Sequence, residues 1–283
     1  MGRQLSVTAL NIKMQPIEGE RDYLELFNMV HRGKFISKIW GDNHGMIGSC
    51  TEDGGLIYGV IYKFFSIDPD ADWLNSLEVE PVDGVPVPEH LKPNLRRIPY
   101  VFSIENHRLF WPKIKHSPSP RTMKKLFEGL FSHESIEERF QSIDVEIETD
   151  KEKLDDIFSR FRAYRKLEIS FTIPNGDDLE AEEEAFTKRL RRQKIERLHE
   201  TYGSRRGIEP DVETKAVMSL ATKSDGKVLA DGVTDDGSIE HVESTNHPRI
   251  FRLDYDPYSD GVTDILIKHV SRLASLLAGK RGE

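Results

Sequence analysis

Apolar residues recur in two rhythms along this chain, every second position and every third or fourth, and the switches between them mark out its elements. Residues 5–12 read as a strand, and residues 20–31 as a helix with Tyr23, Leu26, Phe27 and Val30 on one face. Residues 34–40 and 56–65 read as strands flanking a glycine-bearing connection, a hairpin-like pattern in which Gly45, Gly48, Gly54 and Gly55 supply tight turns. Pro81, Pro86, Pro88 and Pro93 make residues 79–94 irregular, because proline cannot donate to a ladder. A second hairpin is predicted over 98–105 and 108–113, turning at Asn106-His107. The most complete helix signal covers 120–131, where Ser119 caps, Pro120 takes the first helical position, and Met123, Leu126, Phe127, Leu130 and Phe131 form a buried stripe.

The pattern restarts near residue 142. Residues 143–147 read as a strand, and Thr149 with Glu152 forms a capping box opening a helix that turns Leu154, Ile157, Phe158, Phe161 and Tyr164 inward. A strand over 167–173 is stopped at Asn175-Gly176 and followed by a charged helix over 179–202, halted at Gly203. Its apolar positions Phe186, Leu190, Ile195, Leu198 and Tyr202 are sparse, as in a helix covering a domain edge. Residues 215–223, 227–234 and 238–243 then read as an antiparallel meander with turns at 224–226 and 235–237. A final helix over 261–277, with Asp260 at its cap, directs Ile265, Leu266, Val270, Leu273 and Leu277 inward. The fold class this predicts is α+β, two antiparallel-sheet-plus-helix halves, with domains over 1–135 and 142–283.

Composition narrows the chemistry. With 283 residues and 37% hydrophobic content the chain can fill a sizeable core. It has no apolar run of about 18 residues, and its start lacks the charge and apolar pattern of a secretory signal, so a cytoplasmic location is expected. Cys50 is the only cysteine, which excludes an intrachain disulfide, a multi-cysteine zinc site and a Cys-x-x-Cys redox pair. No phosphate-cradling P-loop, His-Glu-x-x-His pair or nucleophile elbow occurs, so no catalytic residue, metal site or cofactor is expected.

Charge is what stands out. Within residues 176–206 the carboxylates Asp177, Asp178, Glu180, Glu182, Glu183 and Glu184 give way to Lys188, Arg189, Arg191, Arg192, Lys194, Arg197, Arg205 and Arg206, in a chain of net charge -9. A local cationic surface on an acidic body is what a polyanion would find. Acids early in a helix and bases late also complement the backbone dipole, and Glu184 and Lys188 form a favourable i,i+4 pair, so a solvated helix gives the same pattern. The expected nucleic-acid contacts are Lys188, Arg189, Arg191, Arg192, Lys194, Arg205 and Arg206, extended by Arg162 and Arg165. Arg160 and Lys166, and Arg121, Lys124 and Lys125 on the 120–131 helix, are further cations that a phosphate track could use. Asp211, Glu213 and Lys215 contain the groups a metal-dependent nuclease uses, but they are neighbours in one predicted extended segment, whereas carboxylates that share an ion converge from separate elements. A nuclease toxin and a protein-interaction module therefore remain as alternatives to a non-enzymatic nucleic-acid-binding protein.

The run 167–179, with its strand ending in Pro174-Asn175-Gly176-Asp177-Asp178 ahead of an acidic then basic helix, resembles an uncharacterised bacterial domain family of about this whole length. The segment 218–229, and the stretch from Ile98-Pro99-Tyr100-Val101-Phe102 through Arg108-Leu109-Phe110 to the Pro120 helix, are similar to segments of the lambda-phage exclusion protein RexA. That second resemblance implies a homodimeric, non-enzymatic protein that binds DNA, with RNA as the other nucleic acid to consider, without strong sequence preference. It further implies action in anti-phage defence or phage exclusion, with a membrane-protein or effector partner encoded nearby.

Overall fold

The computed structural model describes residues 3–68, 72–82, 88–172, 181–224, 226–256 and 261–277, and its architecture is mixed α+β on largely antiparallel sheets. The chain groups into two compact units, one of Met1–Leu5, Met14–Ile143 and Leu253–Glu283, the other of Ser6–Lys13 and Asp144–Arg252. Strand β1 (Arg3–Pro16) contributes residues to each.

The first unit continues with α1 (Tyr23–Arg32), whose start is capped by the Asp22 carboxylate accepting from the Glu25 amide. Strands β2 (Ser37–Trp40), β3 (Asn43–Asp53) and β4 (Leu56–Phe65) follow. A small ribbon pairs β5 (Trp73–Asn75) with β6 (Glu80–Val82), the latter inside the segment whose prolines predict irregularity. Then come β7 (Arg96–Ser103), β8 (Arg108–Pro112), α2 (Pro120–Phe131) and the short α3 (Glu134–Glu137). These strands form the run β8-β7-β4-β3-β2 of a larger sheet, in which β8 also borders β1.

The expected connection between residues 40 and 56 is for the most part the strand β3, paired with β4 from Asn43 against Phe65 to Asp53 against Leu56. Gly45 and Gly48 are close-approach positions inside it, where a Cβ would press on Leu126 or on the Tyr62 ring, while Gly54 and Gly55 make the positive-φ turn. Helix α2 matches its sequence signal throughout: the Ser119 hydroxyl accepts from the Thr122 amide, and the five predicted stripe residues are the buried ones. Phe27 lies 5.0 Å from Phe102 and 6.2 Å from Phe127, ring to ring, so α1 and α2 share one aromatic core with β7.

Strand β9 (Phe140–Ile147) leads to the second unit: α4 (Lys151–Phe158), β10 (Phe161–Thr172), α5 (Ala181–Arg192), β11 (Arg197–Ile208), α6 (Val212–Lys223), β12 (Lys227–Thr234) and β13 (Ile239–Glu243). Its antiparallel sheet runs β11-β10-β12-β13. Leu167, Ile169, Phe171 and Val228 from the strands meet Phe186 and Leu190 of α5 and Val217 and Leu220 of α6 in one buried cluster. Strand β14 (Phe251–Tyr255) and helix α7 (Val262–Leu277) close the chain, and α7 packs on β7 and β8 of the first unit. Among the described residues no helix is long and apolar enough to cross a membrane.

Three sequence expectations in this unit are corrected. Helix α4 is capped by Asp150, whose carboxylate accepts from the Lys153 amide, and it stops at Phe158, so Phe161 and Tyr164 belong to β10. The charged helix ends at Arg192 rather than at Gly203, because Lys194 turns into the left-handed region at φ 56 while the Ile195 amide reaches back 3.1 Å to the Leu190 carbonyl. Residues 215–223 are helical: the Asp211 carboxylate accepts from the Thr214 amide at 2.8 Å, and the segment behind it has no alternating pattern, burying Ala216, Val217, Met218, Leu220 and Ala221. The predicted turn at Asn175-Gly176, the acids Asp177, Asp178 and Glu180, Asp225 and the Asp260 cap lie outside the described residues.

Candidate anion-binding site

Strand β10 buries Phe161, Tyr164, Leu167, Ile169 and Phe171. The spacing is two at one end and three at the other, and each step of three marks an extra residue. Against β12, Phe161 pairs with Thr234 and Ala163 with Val233, which leaves Arg162 over; Tyr164 pairs with Gly232 and Lys166 with Asp231, which leaves Arg165 over. A bulge re-aims the side chain it carries, and here both bulged residues are exposed arginines. On the other edge, Tyr164 pairs with Ile208 and Lys166 with Gly203, so residues 204–207 of β11 loop out opposite Arg165. That loop carries Arg205 and Arg206 and closes through Gly207 at φ 102, a conformation that disfavours any side chain.

These irregularities bring Arg162, Arg165, Arg205 and Arg206 around one cavity of about 340 Å³, completed by Gly207, Gly237 and Glu209. All four arginines are exposed, and among the described residues none has a carboxylate within ion-pair distance. Four like charges held around one space repel one another, so an anion there gains from each and relieves the repulsion between them. Planar guanidinium groups also fit phosphate oxygens two at a time. The Gly237 side is a tight turn: the Asp236 carboxylate accepts from the Thr234 hydroxyl, from the Ser238 amide at 3.1 Å and from the Ser238 hydroxyl at 2.8 Å. Those donors, led by Thr234, hold its carboxyl down at about 2.

The cations of α5 are disposed otherwise. Lys188 pairs with Glu184 one turn back at 2.6 Å, and Arg189 reaches Glu213 of α6 at 2.6 Å with its guanidinium 4.5 Å from the Phe186 ring centre. Arg191 is engaged as well, while Arg192 and Lys194 stand exposed at the helix end. Other members of the expected track are also spoken for: Arg160 lies 3.4 Å from Glu240, Lys166 2.6 Å from Glu168, and Arg197 3.9 Å from Asp144. Of the nine expected contacts, the structure gathers Arg162, Arg165, Arg205 and Arg206 and leaves Lys188, Arg189, Arg191, Arg192 and Lys194 on α5 and its cap.

Asp211, Glu213 and Lys215 do not converge. The first caps α6, where the Thr214 amide keeps its carboxyl below the ordinary range; the second pairs with Arg189; the third lines a different cavity. That cavity, of about 560 Å³, is walled by Phe158, Phe161, Tyr164 and Met218 and shares Arg162 and Glu209 with the arginine cavity. The Tyr164 hydroxyl donates to the Phe158 carbonyl at 3.4 Å, and burial pushes its phenol up to about 12, so it stays neutral. Sequence reasoning missed this second cavity because its aromatic residues were assigned to the buried face of a helix. The signal that could have found it is the change from spacing of three to spacing of two after Leu167.

No curated protein matches the chain. A family model described as a domain of unknown function, DUF4747, matches residues 3–271, nearly the whole length, and the chain therefore belongs to that family.

Proposed function

We propose that this protein binds nucleic acid through the phosphate backbone, without catalysis, and that Arg162, Arg165, Arg205 and Arg206 make the principal contacts. The observation that carries the reading is the convergence of these four arginines, none of them ion-paired among the described residues, on one cavity, raised there by two bulges and a looped strand. Phosphate contacts need local cations rather than a positive total, which is how a chain of net charge -9 can bind a polyanion. Arginines aimed at phosphates carry no base code, so the binding is to DNA of any sequence, with RNA as the other candidate. The setting we assign is anti-phage defence or phage exclusion in the bacterial cytoplasm, by a homodimer of two-part α+β chains working with a membrane or effector partner. That setting is supported by the sequence resemblance to the lambda exclusion protein at residues 98–110 and 218–229.

The test is a titration of fluorescent duplex and single-stranded DNA at several salt concentrations, with the unaltered chain and an Arg165→Glu/Arg206→Glu variant. Expected is a plot of log affinity against log salt with a slope of about -3 to -4, one unit per phosphate contact, flattened by about two units in the variant. Equal affinity for both proteins would remove the arginine cavity from the interface. Absence of binding even at low salt would remove the nucleic-acid reading.

A further inference from the structure

The arginine cavity and the aromatic cavity are neighbours, since Arg162 and Glu209 line both. One side offers cations and the other offers rings. Phe158 and Phe161 lie 6.5 Å apart and Phe161 meets Tyr164 edge-on at 5.7 Å, so part of the wall is a fixed aromatic surface with Met218 beside it. At about 560 Å³ the space is within the range of small-molecule sites. Polar groups line it as well, Asp155 and Ser159 from the α4 side and Lys215, Ser219 and Thr222 from α6; the Lys215 ammonium and the Ser219 hydroxyl have no hydrogen-bond partner among the described residues, whereas the Thr222 hydroxyl is already used on the Met218 and Ser219 carbonyls. Glu209 stands on the boundary. A carboxylate placed between a phosphate site and a base site is where the sugar of a nucleotide would lie, and carboxylates accept from ribose hydroxyls.

From this juxtaposition we infer that the two cavities form one site for a single ribonucleotide unit, with the phosphate on the arginines, the ribose at Glu209 and the base against Phe158, Phe161 and Tyr164. The inference rests on the phosphate-binding reading and adds to it a requirement for an unpaired base and a ribose. A base held in a duplex cannot enter a cavity of this kind, whereas a strand end or a free nucleotide can. Arg162 is the hinge of the arrangement, because it borders the phosphate and the base at once.

Calorimetric titration of the full chain with adenosine monophosphate, deoxyadenosine monophosphate, adenosine and inorganic phosphate separates the parts. Expected is binding of adenosine monophosphate at least about tenfold tighter than adenosine or phosphate alone, with the deoxy analogue weaker. Ser219→Trp, which fills the aromatic cavity from α6, should abolish the advantage over inorganic phosphate; Ser159→Trp does the same from the end of α4 should the first variant not fold, as judged by its melting curve. A short oligoadenylate with or without a terminal phosphate tells the sources apart: a tight phosphorylated end with weak free nucleotide assigns the site to strand ends, and the reverse assigns it to a free nucleotide. Equal affinity for adenosine monophosphate and inorganic phosphate, or no effect of a folded tryptophan variant, overturns the inference while leaving backbone binding to duplex DNA standing. If duplex, single strand and nucleotide all fail to bind at low salt, both readings fall together.

Discussion

Helix α5 and the bulged region of β10 and β11 each present four cations to solvent, Lys188, Arg189, Arg191 and Arg192 on one and Arg162, Arg165, Arg205 and Arg206 on the other, and they dispose of them in opposite ways. A helix brings residues four apart onto one face, so an acidic stretch followed by a basic one neutralises itself, as Glu184 and Lys188 do, and its neighbour α6 supplies Glu213 for Arg189. A bulged strand has no such partner built in. The extra residue is turned out of the ladder, and two bulges on one strand facing a loop on the next make a cluster of four arginines, beside which Glu209 lines the cavity without ion-pairing to any of them. The density of charge along a sequence is therefore a poor guide to the density of uncompensated charge on a surface.

The comparison can be broken most directly by charge reversal. Arg165→Glu/Arg206→Glu should weaken DNA binding at low salt by about 100-fold, whereas Lys188→Glu/Arg192→Glu should change it by no more than about threefold; anisotropy titrations measure both, and a larger loss on α5 would invert the assignment. Next in size is the loop that presents the second arginine pair. Gly207→Val places a branched side chain at φ 102, with its Cβ 3.2 Å from that of Ala163, and should cost about 1–3 kcal/mol of stability in thermal or urea unfolding. It should also weaken binding, since Arg205 and Arg206 would shift together.

A smaller effect sharpens the contrast from the other side. Glu184→Gln/Glu213→Gln releases Lys188 and Arg189 from their exposed partners at a stability change of about 0–1 kcal/mol. If pairing is what silences α5, this variant should bind DNA a few-fold more tightly than the unaltered chain, and no gain would point to position rather than pairing. The smallest effect is on pH. Asp236 has its carboxyl held at about 2 in the folded chain against an ordinary 3.8, so its contribution to the turn beside Gly237 is complete above the ordinary value and drains away as pH falls toward about 2. The acid limb of the stability curve should flatten in Asp236→Asn, while stability near neutrality follows only the loss of the charged acceptor.

Where local signals agreed, the elements were legible. Helix α2 has a capping serine, a proline at its first position and an unbroken stripe, and nothing remote was needed to place it. The second unit is harder, for reasons visible in single residues. Leu198 and Tyr202 are four apart, a separation that fits one face of a helix and also one face of a strand, so β11 read as a continuation of α5. Phe158, Phe161 and Tyr164 step by three, which on a regular chain means a helix; here the helix ends at the first of them and the step from Phe161 to Tyr164 comes from the bulge at Arg162. Lys194 stops α5 in a left-handed turn usually given to glycine, which leaves the boundary without its ordinary marker. Of the candidate site, Arg162, Arg165, Arg205 and Arg206 were all among the expected contacts, but nothing in the sequence separated them as a group from the cations of α5.

By itself the sequence determined the class of fold, the aromatic core around α1 and α2, the capped and patterned helices, and the identity of the cations, because each follows from propensity, periodicity and composition within a few residues. Tertiary structure alone decided which of those cations are neutralised and which converge. Ion pairing across α5 and α6, and the register of β10 against two neighbours at once, depend on contacts between segments distant along the chain, and a one-residue bulge that no local preference encodes is enough to turn a side chain from one partner to another.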